Sequence, residues 1–180
     1  MEKLSDEYIM EKVKQGNLDY LSILFERYNN QVLNYFFRMS SNYEDSRDLA
    51  QSLFFRILKY KKSFRQNMVF KYWLYKMAKN IFNDYFNKKQ KYFNNPIYIS
   101  VKQHSDYNDS DHVEKDRLLF TAISKLPTEY MELVILSKFC KYKNVELAEI
   151  YDTTIASIKN KLYRALIKLK ELYFENALNN

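Results

Sequence analysis

Cationic and aromatic side chains alternate between residues 59 and 91, the stretch with the clearest binding chemistry. It holds ten Lys or Arg residues against Asp84 alone, a local charge of +9 in a chain of net charge +7. Cations can follow a phosphate backbone, and aromatic faces stack on unpaired bases at about 1–3 kcal/mol each. We predict a nucleic-acid surface here, with a merely solvated basic face as the alternative. Its phosphate contacts would be Lys61, Lys62, Arg65, Lys71, Lys76 and Lys79, and its aromatic faces Phe64, Tyr72, Trp73 and Tyr75.

Amide side chains extend this surface. A helix beginning at Phe70 places Lys76, Asn80, Asn83 and Asn87 on one face, because residues three or four apart are neighbours on a helix. The Asn80 amide carries donors and an acceptor, so it can read a base edge. Trp73 has a second interpretation, as an anchor of the domain core.

A second candidate nucleic-acid site lies near the C-terminus, where two helical patterns are joined by Asp152-Thr153-Thr154. Asp tolerates the left-handed dihedrals of such a turn, and Thr154 can cap the second helix. Small Ala148 suits the close approach of a helix-turn-helix, and the apolar residues of the crossing are Leu147, Ile150, Ile155, Ile158 and Leu162. An ordinary helical hairpin is the alternative. The candidate DNA contacts are Thr154, Ser157, Lys159, Asn160, Lys161, Tyr163 and Arg164.

Helices position both sites, since apolar residues recur at intervals of three and four almost throughout. One Gly and two Pro in 180 residues also disfavour a hairpin-rich β fold. The helical pattern fails between Phe93 and Lys115, where acidic and turn-forming residues predominate. We therefore predict an all-α fold of two small helical domains, 1–92 and 116–180, joined by a flexible acidic linker over 93–115. The predicted helices are 6–15, 18–39, 44–60, 70–92, one from about 118 to 126, one capped by Thr128, 144–151 and 155–174, with a loop at 61–68.

The sequence offers few candidates for a catalytic site, a metal site or a membrane-spanning segment. His104 and His112 both lie in the linker, and no second acidic group completes a metal site with Glu44, Asp45 and Asp48. Cys140 is alone, so no intrachain disulfide can form. We expect a protein that is not an enzyme and needs no metal or cofactor. The N-terminus is too polar for a signal peptide and no apolar run approaches the roughly 18 residues of a membrane span, so we expect a cytoplasmic location without membrane insertion.

Three stretches together resemble the extracytoplasmic-function (ECF) family of RNA polymerase sigma factors. Residues 48–54, DLAQSLF, are similar to that family's polymerase-binding helix, typically D-L-V-Q-E-x-F. Residues 70–80, FKYWLYKMAKN, are similar to its F-x-x-W-L-x-x-I-A-x-N signature. Leu126-Pro127 and residues 146–165 are similar to its helix-turn-helix domain. Ser52 departs from the usual Glu, and Ala156-Ser157 stand where Gly-Thr is common.

The resemblance implies a factor that binds core RNA polymerase, reads promoter DNA at −10 and −35 and helps to open the duplex. The helix at 44–60 would dock on polymerase through Asp48, Gln51 and Arg56, with Leu53, Phe54 or Phe55 as apolar anchors, Phe54 being better explained as core. In that family a loop matching 61–68 forms, with a matching Asn, a pocket for a flipped base. The −10 contacts would then be Lys61, Lys62, Phe64, Arg65, Tyr72, Lys76, Lys79, Asn80 and Asn83.

By the same resemblance, Lys159, Asn160 and Tyr163 would face −35 bases, while Ser157, Lys161 and Arg164 would hold phosphates. Many members of the family are held inactive by an anti-sigma factor, which makes such a protein a candidate partner. The alternative function is a stand-alone helix-turn-helix transcriptional regulator, which would not need the aromatic and basic stretch before the linker.

Overall fold

The computed structural model describes residues 4–92 and 110–178, and their side chains over 4–89 and 117–178. These residues contain helices and no strand. The helices, in chain order, are α1 Asp6–Lys14, α2 Tyr20–Ser40, α3 Tyr43–Tyr60, α4 Phe70–Tyr92, α5 Ser110–Ser124, α6 Thr128–Val134, α7 Asn144–Ile150 and α8 Ile155–Leu178. The all-α prediction is confirmed, and most predicted boundaries lie within two residues of the observed ones.

The chain divides into two compact units. The first contains α1 to α4, and the second contains the described residues 110–148 and 152–178. In the first unit, α2 packs against α1 and α3, and α3 packs against α4. Burial of one apolar face of each helix forms its core, with Leu24, Phe36, Leu53 and Leu74 fully or almost fully buried.

Local signals fix the ends of the helices in the first unit. The Ser5 hydroxyl accepts a hydrogen bond from the Tyr8 amide at 3.2 Å, and the Asn42 side chain accepts one from the Asp45 amide at 3.1 Å. These caps satisfy amides that the first turn leaves unpaired. Gly16 (φ 105°) and Ser41 (φ 51°) end α1 and α2 in the left-handed region. A short 3-10 turn, Lys61–Ser63, continues α3 into the loop that precedes α4.

In the second unit, α5 and α6 pack against α8. Two predicted features differ from the structure here. The prediction that Thr128 caps α6 is wrong: Pro127 occupies the N-cap, and its carbonyl accepts from the Tyr130 and Met131 amides at 2.8 and 2.9 Å. The apolar pattern through Met131, Val134 and Ile135 predicts a helix that continues towards Phe139, but after Val134 the chain forms a π-helical turn, Ile135–Phe139.

The predicted linker of 93–115 overlaps the start of α5. Helix α5 begins at Ser110, so residues 110–115 are helical although they carry no apolar period. Adding a turn to an existing helix is inexpensive compared with nucleating one, so the apolar turn from Leu118 can extend into polar sequence. The rest of the linker, 93–109, including His104, lies outside the described residues, and the side chain of His112 does as well.

Candidate nucleic-acid interfaces

The loop before α4 is held by an aromatic cluster of Phe64, Phe70 and Trp73, all buried. The ring centroid of Trp73 lies 5.3 Å from that of Phe64 and 6.1 Å from that of Phe70. Burying an aromatic side chain such as Phe64 stabilises a fold by about 1.5–3 kcal/mol, so this cluster is a structural anchor of the loop. The core interpretation of Trp73 agrees with this placement.

Two predicted base-stacking residues therefore need correction. Phe64 and Tyr75 are almost completely buried, so neither ring offers a face to a nucleic acid in this structure. Tyr75 packs edge-on against Tyr35, with ring centroids 5.6 Å apart. Tyr72 is the predicted aromatic contact that retains partial exposure. Alternating aromatic and basic residues do not identify a stacking surface by themselves. A loop whose aromatic residues pack in the core and whose basic residues face solvent has the same sequence pattern.

The predicted phosphate contacts surround this cluster on the surface. Lys62, Arg65 and Lys76 are exposed, whereas Lys61, Lys71 and Lys79 are half-buried. Both ends of the loop and the first turns of α4 therefore carry positive charge. Such an arrangement attracts a phosphate backbone and weakens as salt rises.

A small cavity lies between the end of α3 and α4. It has a volume of about 250 Å³ and is lined by Arg56, Tyr60, Ser63, Trp73, Met77 and Asn80. Asn80 is exposed and Asn83, one turn later, is half-buried, so the amide of Asn80 is available to a ligand. The lining combines two aromatic rings, a thioether, a guanidinium and an amide, a set that suits a planar heteroaromatic ring with polar edges.

Arg56 was predicted to contact polymerase, but its side chain lines this cavity. Its guanidinium donates to the Asp84 carboxylate at 2.7 Å, which ties α3 to α4. The pair is well exposed, so it contributes little to stability but sets the direction of the Arg56 side chain.

A wider groove runs between α2 and α3. Its volume is about 1160 Å³, and its lining includes Phe25, Asp48, Gln51 and Phe55. Phe55 is 63% exposed, and Asp48 and Gln51 are exposed beside it. A large apolar side chain flanked by polar ones is typical of a protein-binding surface. Leu53 is fully buried, so the prediction of Leu53 as an apolar anchor is wrong in this structure. Phe54 is also buried, although it lines the groove and packs against Phe25 with ring centroids 4.8 Å apart.

The turn between α7 and α8 has the predicted geometry. Asp152 adopts the left-handed region at φ 49°, and the Thr154 hydroxyl accepts from the Ser157 amide at 3.1 Å. Leu147, Ile150, Ile158 and Leu162 are buried, as predicted. Ile155, the first residue of α8, differs because it is exposed. The two helices form a helix-turn-helix in the order the sequence indicated.

The outer face of α8 presents most of the predicted DNA contacts. Lys159, Asn160, Tyr163 and Arg164 are exposed, and Tyr163 is 68% exposed. The Lys161 ammonium forms an ion pair with the Glu129 carboxylate of α6, so it is partly committed within the protein. Ser157 is half-buried, and Thr154 is exposed while acting as the cap.

Sequence reasoning missed the residue that caps α4. The Glu7 carboxylate, on α1, accepts a hydrogen bond from the Phe70 amide at 3.0 Å. Beside it, the Asp6 carboxylate accepts from the Arg27 guanidinium and from the Tyr28 hydroxyl. Burial and the neighbouring Asp6 raise the pKa of Tyr28 well above its ordinary value. Asp6 and Glu7, two acidic residues in the first turn of α1, were the only sequence signal for these contacts. The same pattern is expected from the helix dipole alone.

A second missed network links α3 and α4. The Tyr85 hydroxyl donates to the Asp45 carboxylate at 2.6 Å, and the Lys89 ammonium donates to both Tyr85 and Asp45 at 2.6 and 3.1 Å. Burial and Asp45 raise the pKa of Tyr85. Burial alone would lower the pKa of Lys89, but its bonds to Tyr85 and Asp45 raise it overall. Asp45 thus forms an ion pair with Lys89 that links α3 to α4.

Metal-binding clusters and membrane-spanning helices are both absent from the described residues. Within 4–89 and 117–178, no group of three or more His, Cys, Asp or Glu side chains is placed to hold a metal ion. In the same residues, no helix is long and apolar enough to cross a membrane.

Comparison with known proteins gives a consistent result. Residues 24–92 match the family model of Sigma-70 region 2, and residues 116–169 match that of Sigma-70, region 4. The chain is 25% identical over 162 residues to the RNA polymerase sigma factor YlaC of Bacillus subtilis, covering 85% of this chain and 91% of that protein. It is also 25% identical over 177 residues to the ECF RNA polymerase sigma-E factor of Haemophilus influenzae, covering 91% of this chain and 93% of that protein.

A solved structure shares the fold. The sigma factor RpoE of Bartonella quintana, crystallised with the anti-sigma factor NepR, superposes with a TM-score of 0.65 at 20% identity. The match covers 86% of this chain and 96% of that one.

Proposed function

This chain belongs to the ECF family of sigma-70-type RNA polymerase sigma factors, and from that premise we propose how its residues divide the work. A sigma factor binds core RNA polymerase and directs it to a promoter. The observation that carries the assignment is the presence of both Sigma-70 regions, in order, on one chain. A stand-alone regulator would have no use for region 2, and nothing in the comparisons favours it.

We propose the following functional division of the chain: residues 1–92 bind polymerase and the −10 element, 93–115 connect, and 116–180 bind the −35 element. The first boundary is supported by the end of the Sigma-70 region 2 match at residue 92. The second is less sharp, because α5 already begins at Ser110.

The cavity at Asn80 is the proposed site for a flipped −10 base. Its volume of about 250 Å³ is of the order of a single base, and Trp73 and Tyr60 line it beside the Asn80 amide. The amide would read the base edge, and Lys62, Arg65 and Lys76 would hold the phosphates of the opened strand. Holding a base requires no bond making, so this proposal gives the protein no enzymatic step.

The groove between α2 and α3 is the proposed polymerase surface. Phe55 would be its apolar anchor, with Asp48 and Gln51 as polar contacts on the same helix. Interfaces concentrate their binding energy in such exposed aromatic side chains. Arg56, which points to Asp84 and the cavity, is better placed for promoter DNA than for polymerase.

The outer face of α8 is the proposed −35 surface. Lys159, Asn160 and Tyr163 would face bases, and Arg164 would bind a phosphate. A protein of this kind works where the chromosome is, so we propose a cytoplasmic location. An anti-sigma factor is a proposed partner, because the fold is shared with a sigma factor solved bound to one.

Reconstituted transcription tests the proposed function. The protein should co-elute with core polymerase and support transcription from cognate promoters, with footprints at −10 and −35 only when polymerase is present. Asn80→Ala should retain polymerase binding but open promoters poorly, because Asn80 lies on α4 and away from the Phe55 groove. A tight, sequence-specific footprint by the protein alone would favour the regulator instead.

A further inference from the structure

Helix α8 carries an apolar stripe along its exposed side. The stripe continues from the −35 surface towards the end of the helix, and its four exposed members are Tyr163, Ile167, Phe174 and Leu178. Intervals of four, seven and four residues place them on one face, because seven residues make about two helical turns. The buried residues Leu162 and Ala165 lie on a different face of the helix. An exposed apolar face of this length is typical of a protein-binding surface.

The stripe has the same pattern in both directions along the helix. Its midpoint lies between residues 170 and 171. Tyr163 and Leu178 are equally far from this point, and so are Ile167 and Phe174. Two copies of α8 packed antiparallel about a two-fold axis therefore bring Tyr163 against Leu178, and Ile167 against Phe174, of the second copy. A symmetric dimer requires such a self-complementary surface.

Charges beside the stripe favour the same antiparallel register. Arg164 and Glu175 are exposed and lie 11 residues, or about three turns, apart, so they flank the stripe on one side. In the paired arrangement, Arg164 of each copy lies within about one turn of Glu175 of the other, and symmetry forms this contact twice. Glu171 lies near its counterpart across the axis, but the Lys168 ammonium of its own helix binds it at 3.1 Å. Lys170 also approaches its counterpart, an unfavourable pair that weakens the dimer.

We propose that the stripe on α8 binds the same stripe of a second copy, antiparallel, to form a weak two-fold dimer that withholds Tyr163 and Arg164 from −35 DNA. The self-association depends on α8 alone, whereas the withholding of DNA contacts rests on the proposed function. The stripe is about 22 Å long, and one helix face is small beside the roughly 1,600 Å² of a standard stable interface. The dimer should therefore form at micromolar concentration and dissociate when DNA takes its place.

Sedimentation velocity of the full chain, without polymerase or DNA, tests the dimer. Wild type should show a reversible monomer–dimer equilibrium as its concentration rises through the micromolar range. The double variant Ile167→Ser, Phe174→Ser removes half of the stripe without adding charge and should stay monomeric. Val145→Ser, which changes an exposed apolar residue of α7, is the matched control and should dimerise like wild type. Circular dichroism checks folding, and Phe174→Ser alone provides the comparison if the double variant misfolds.

A charge exchange tests the antiparallel register. Arg164→Glu and Glu175→Arg should each weaken self-association by about tenfold, because each places two pairs of like charges at the edge of the interface. An equimolar mixture of the two variants restores both opposite-charge pairs and should dimerise where each variant alone is monomeric. Lys170→Ala removes the unfavourable pair and should strengthen the dimer.

A short duplex containing the −35 element tests whether dimer and DNA compete. At low salt, where basic surfaces bind DNA most strongly, added duplex should convert wild-type dimers into complexes of one chain with DNA. A dimer that binds the duplex intact would overturn the withholding of the −35 contacts.

Three other results would overturn the self-association. A monomer at every concentration would assign the stripe to another protein or to the linker, and a dimer that survives Ile167→Ser, Phe174→Ser would place the interface elsewhere. A mixture of Arg164→Glu and Glu175→Arg that stays monomeric would contradict the antiparallel register. Failure of the chain to direct transcription with core polymerase would instead refute the proposed function and leave these sedimentation results unchanged.

Discussion

Arg56 on α3 and Asp84 on α4 form an ion pair at 2.7 Å beside the Asn80 cavity. The pair joins the helix whose other face carries Phe55 to the helix that carries Asn80. Neighbouring residues of α3 therefore serve two different surfaces: Phe55 lines the wide groove, and Arg56 lines the small cavity. We therefore expect substitutions of Phe55 and of Arg56 to impair different functions.

Arg56→Ala should impair promoter opening and spare polymerase affinity, whereas Phe55→Ala should do the reverse. Affinity for core polymerase is measured by fluorescence anisotropy and opening by permanganate reactivity of −10 thymines. Removing the exposed aromatic anchor should weaken polymerase binding by about 1–2 kcal/mol, as hot-spot truncations do. If a folded Arg56→Ala protein loses as much polymerase affinity as Phe55→Ala, Arg56 contacts polymerase after all and the proposed division is wrong.

Glu7→Ala should destabilise the first unit because the Phe70 amide at the start of α4 loses its acceptor. We expect a loss of roughly 0.5–2 kcal/mol in the free energy of unfolding, measured with urea, as for other lost helix caps. Glu7→Gln retains an acceptor oxygen and should recover much of the lost free energy of unfolding. Glu11→Ala is the matched control on α1, since it removes only an ion pair with Lys14 three residues away. A Glu7→Ala loss no larger than that of Glu11→Ala would mean that the cap contributes nothing.

Lys141→Gly should stabilise the second unit. Lys141 has φ 61°, in the left-handed region where a side chain is strained and glycine is not, and it directly follows the π-helical turn and Cys140. We expect a gain of about 0.5–1 kcal/mol in the free energy of unfolding. Lys138→Gly removes the same charge from inside the π-helical turn and should destabilise instead. A Lys141→Gly protein no more stable than wild type would contradict the strain argument.

The contribution of Tyr28 should decline at alkaline pH. Its pKa is raised in the folded state by burial and by Asp6, so the folded protein keeps the phenol protonated where the unfolded chain does not. Stability from this group is fully present below the ordinary tyrosine pKa of about 10 and is lost as pH rises above it. Tyr28→Phe should be less stable than wild type at pH 8, and the difference should shrink above pH 10 by up to about 1.4 kcal/mol per pH unit.

Urea unfolding between pH 8 and 11 measures that difference for Tyr28→Phe, and Tyr163→Phe, whose ring is exposed, controls for the loss of one phenol. A gap between wild type and Tyr28→Phe that stays constant across this range would show that Tyr28 is not linked to folding through its ionisation.

Helices and turns were predictable because their signals are local. The three-to-four spacing of apolar residues located α2, α3 and α8, and the turn chemistry of Asp152 and Thr154 located the helix-turn-helix. Burial of Phe64 was not predictable, since an aromatic residue in a loop without period carries no sign of the cluster it joins. The bond from Phe70 to Glu7 spans 63 residues, a separation that only the tertiary fold brings together. The ion pair of Arg56 could not be predicted for the same reason, because its partner Asp84 lies on another helix.

The outer face of α8 should separate base reading from phosphate binding. Lys159 and Asn160 project from the first turns of the helix, the part that enters a major groove in a helix-turn-helix, and both are exposed. A lost base contact costs about 1–3 kcal/mol at one position, whereas a lost phosphate contact weakens all sequences alike and lowers the salt slope by about one. Lys159→Ala and Asn160→Ala should therefore change which −35 sequences are used. Arg164→Ala should reduce transcription from every −35 variant by a similar factor, with a shallower salt dependence.

Transcription from a randomised −35 library, repeated at several salt concentrations, distinguishes these outcomes. Lys161→Ala is a useful fourth variant, because the Lys161 ammonium is already paired with Glu129 and its removal should lower the salt slope less than Arg164→Ala does. If Lys159→Ala and Asn160→Ala both keep the parental order of preference, the exposed face of α8 does not read bases. Specificity at −35 would then have to come from the shape of the DNA that the helix fits, since sequence-dependent groove width and stiffness are the remaining source of discrimination without base contacts.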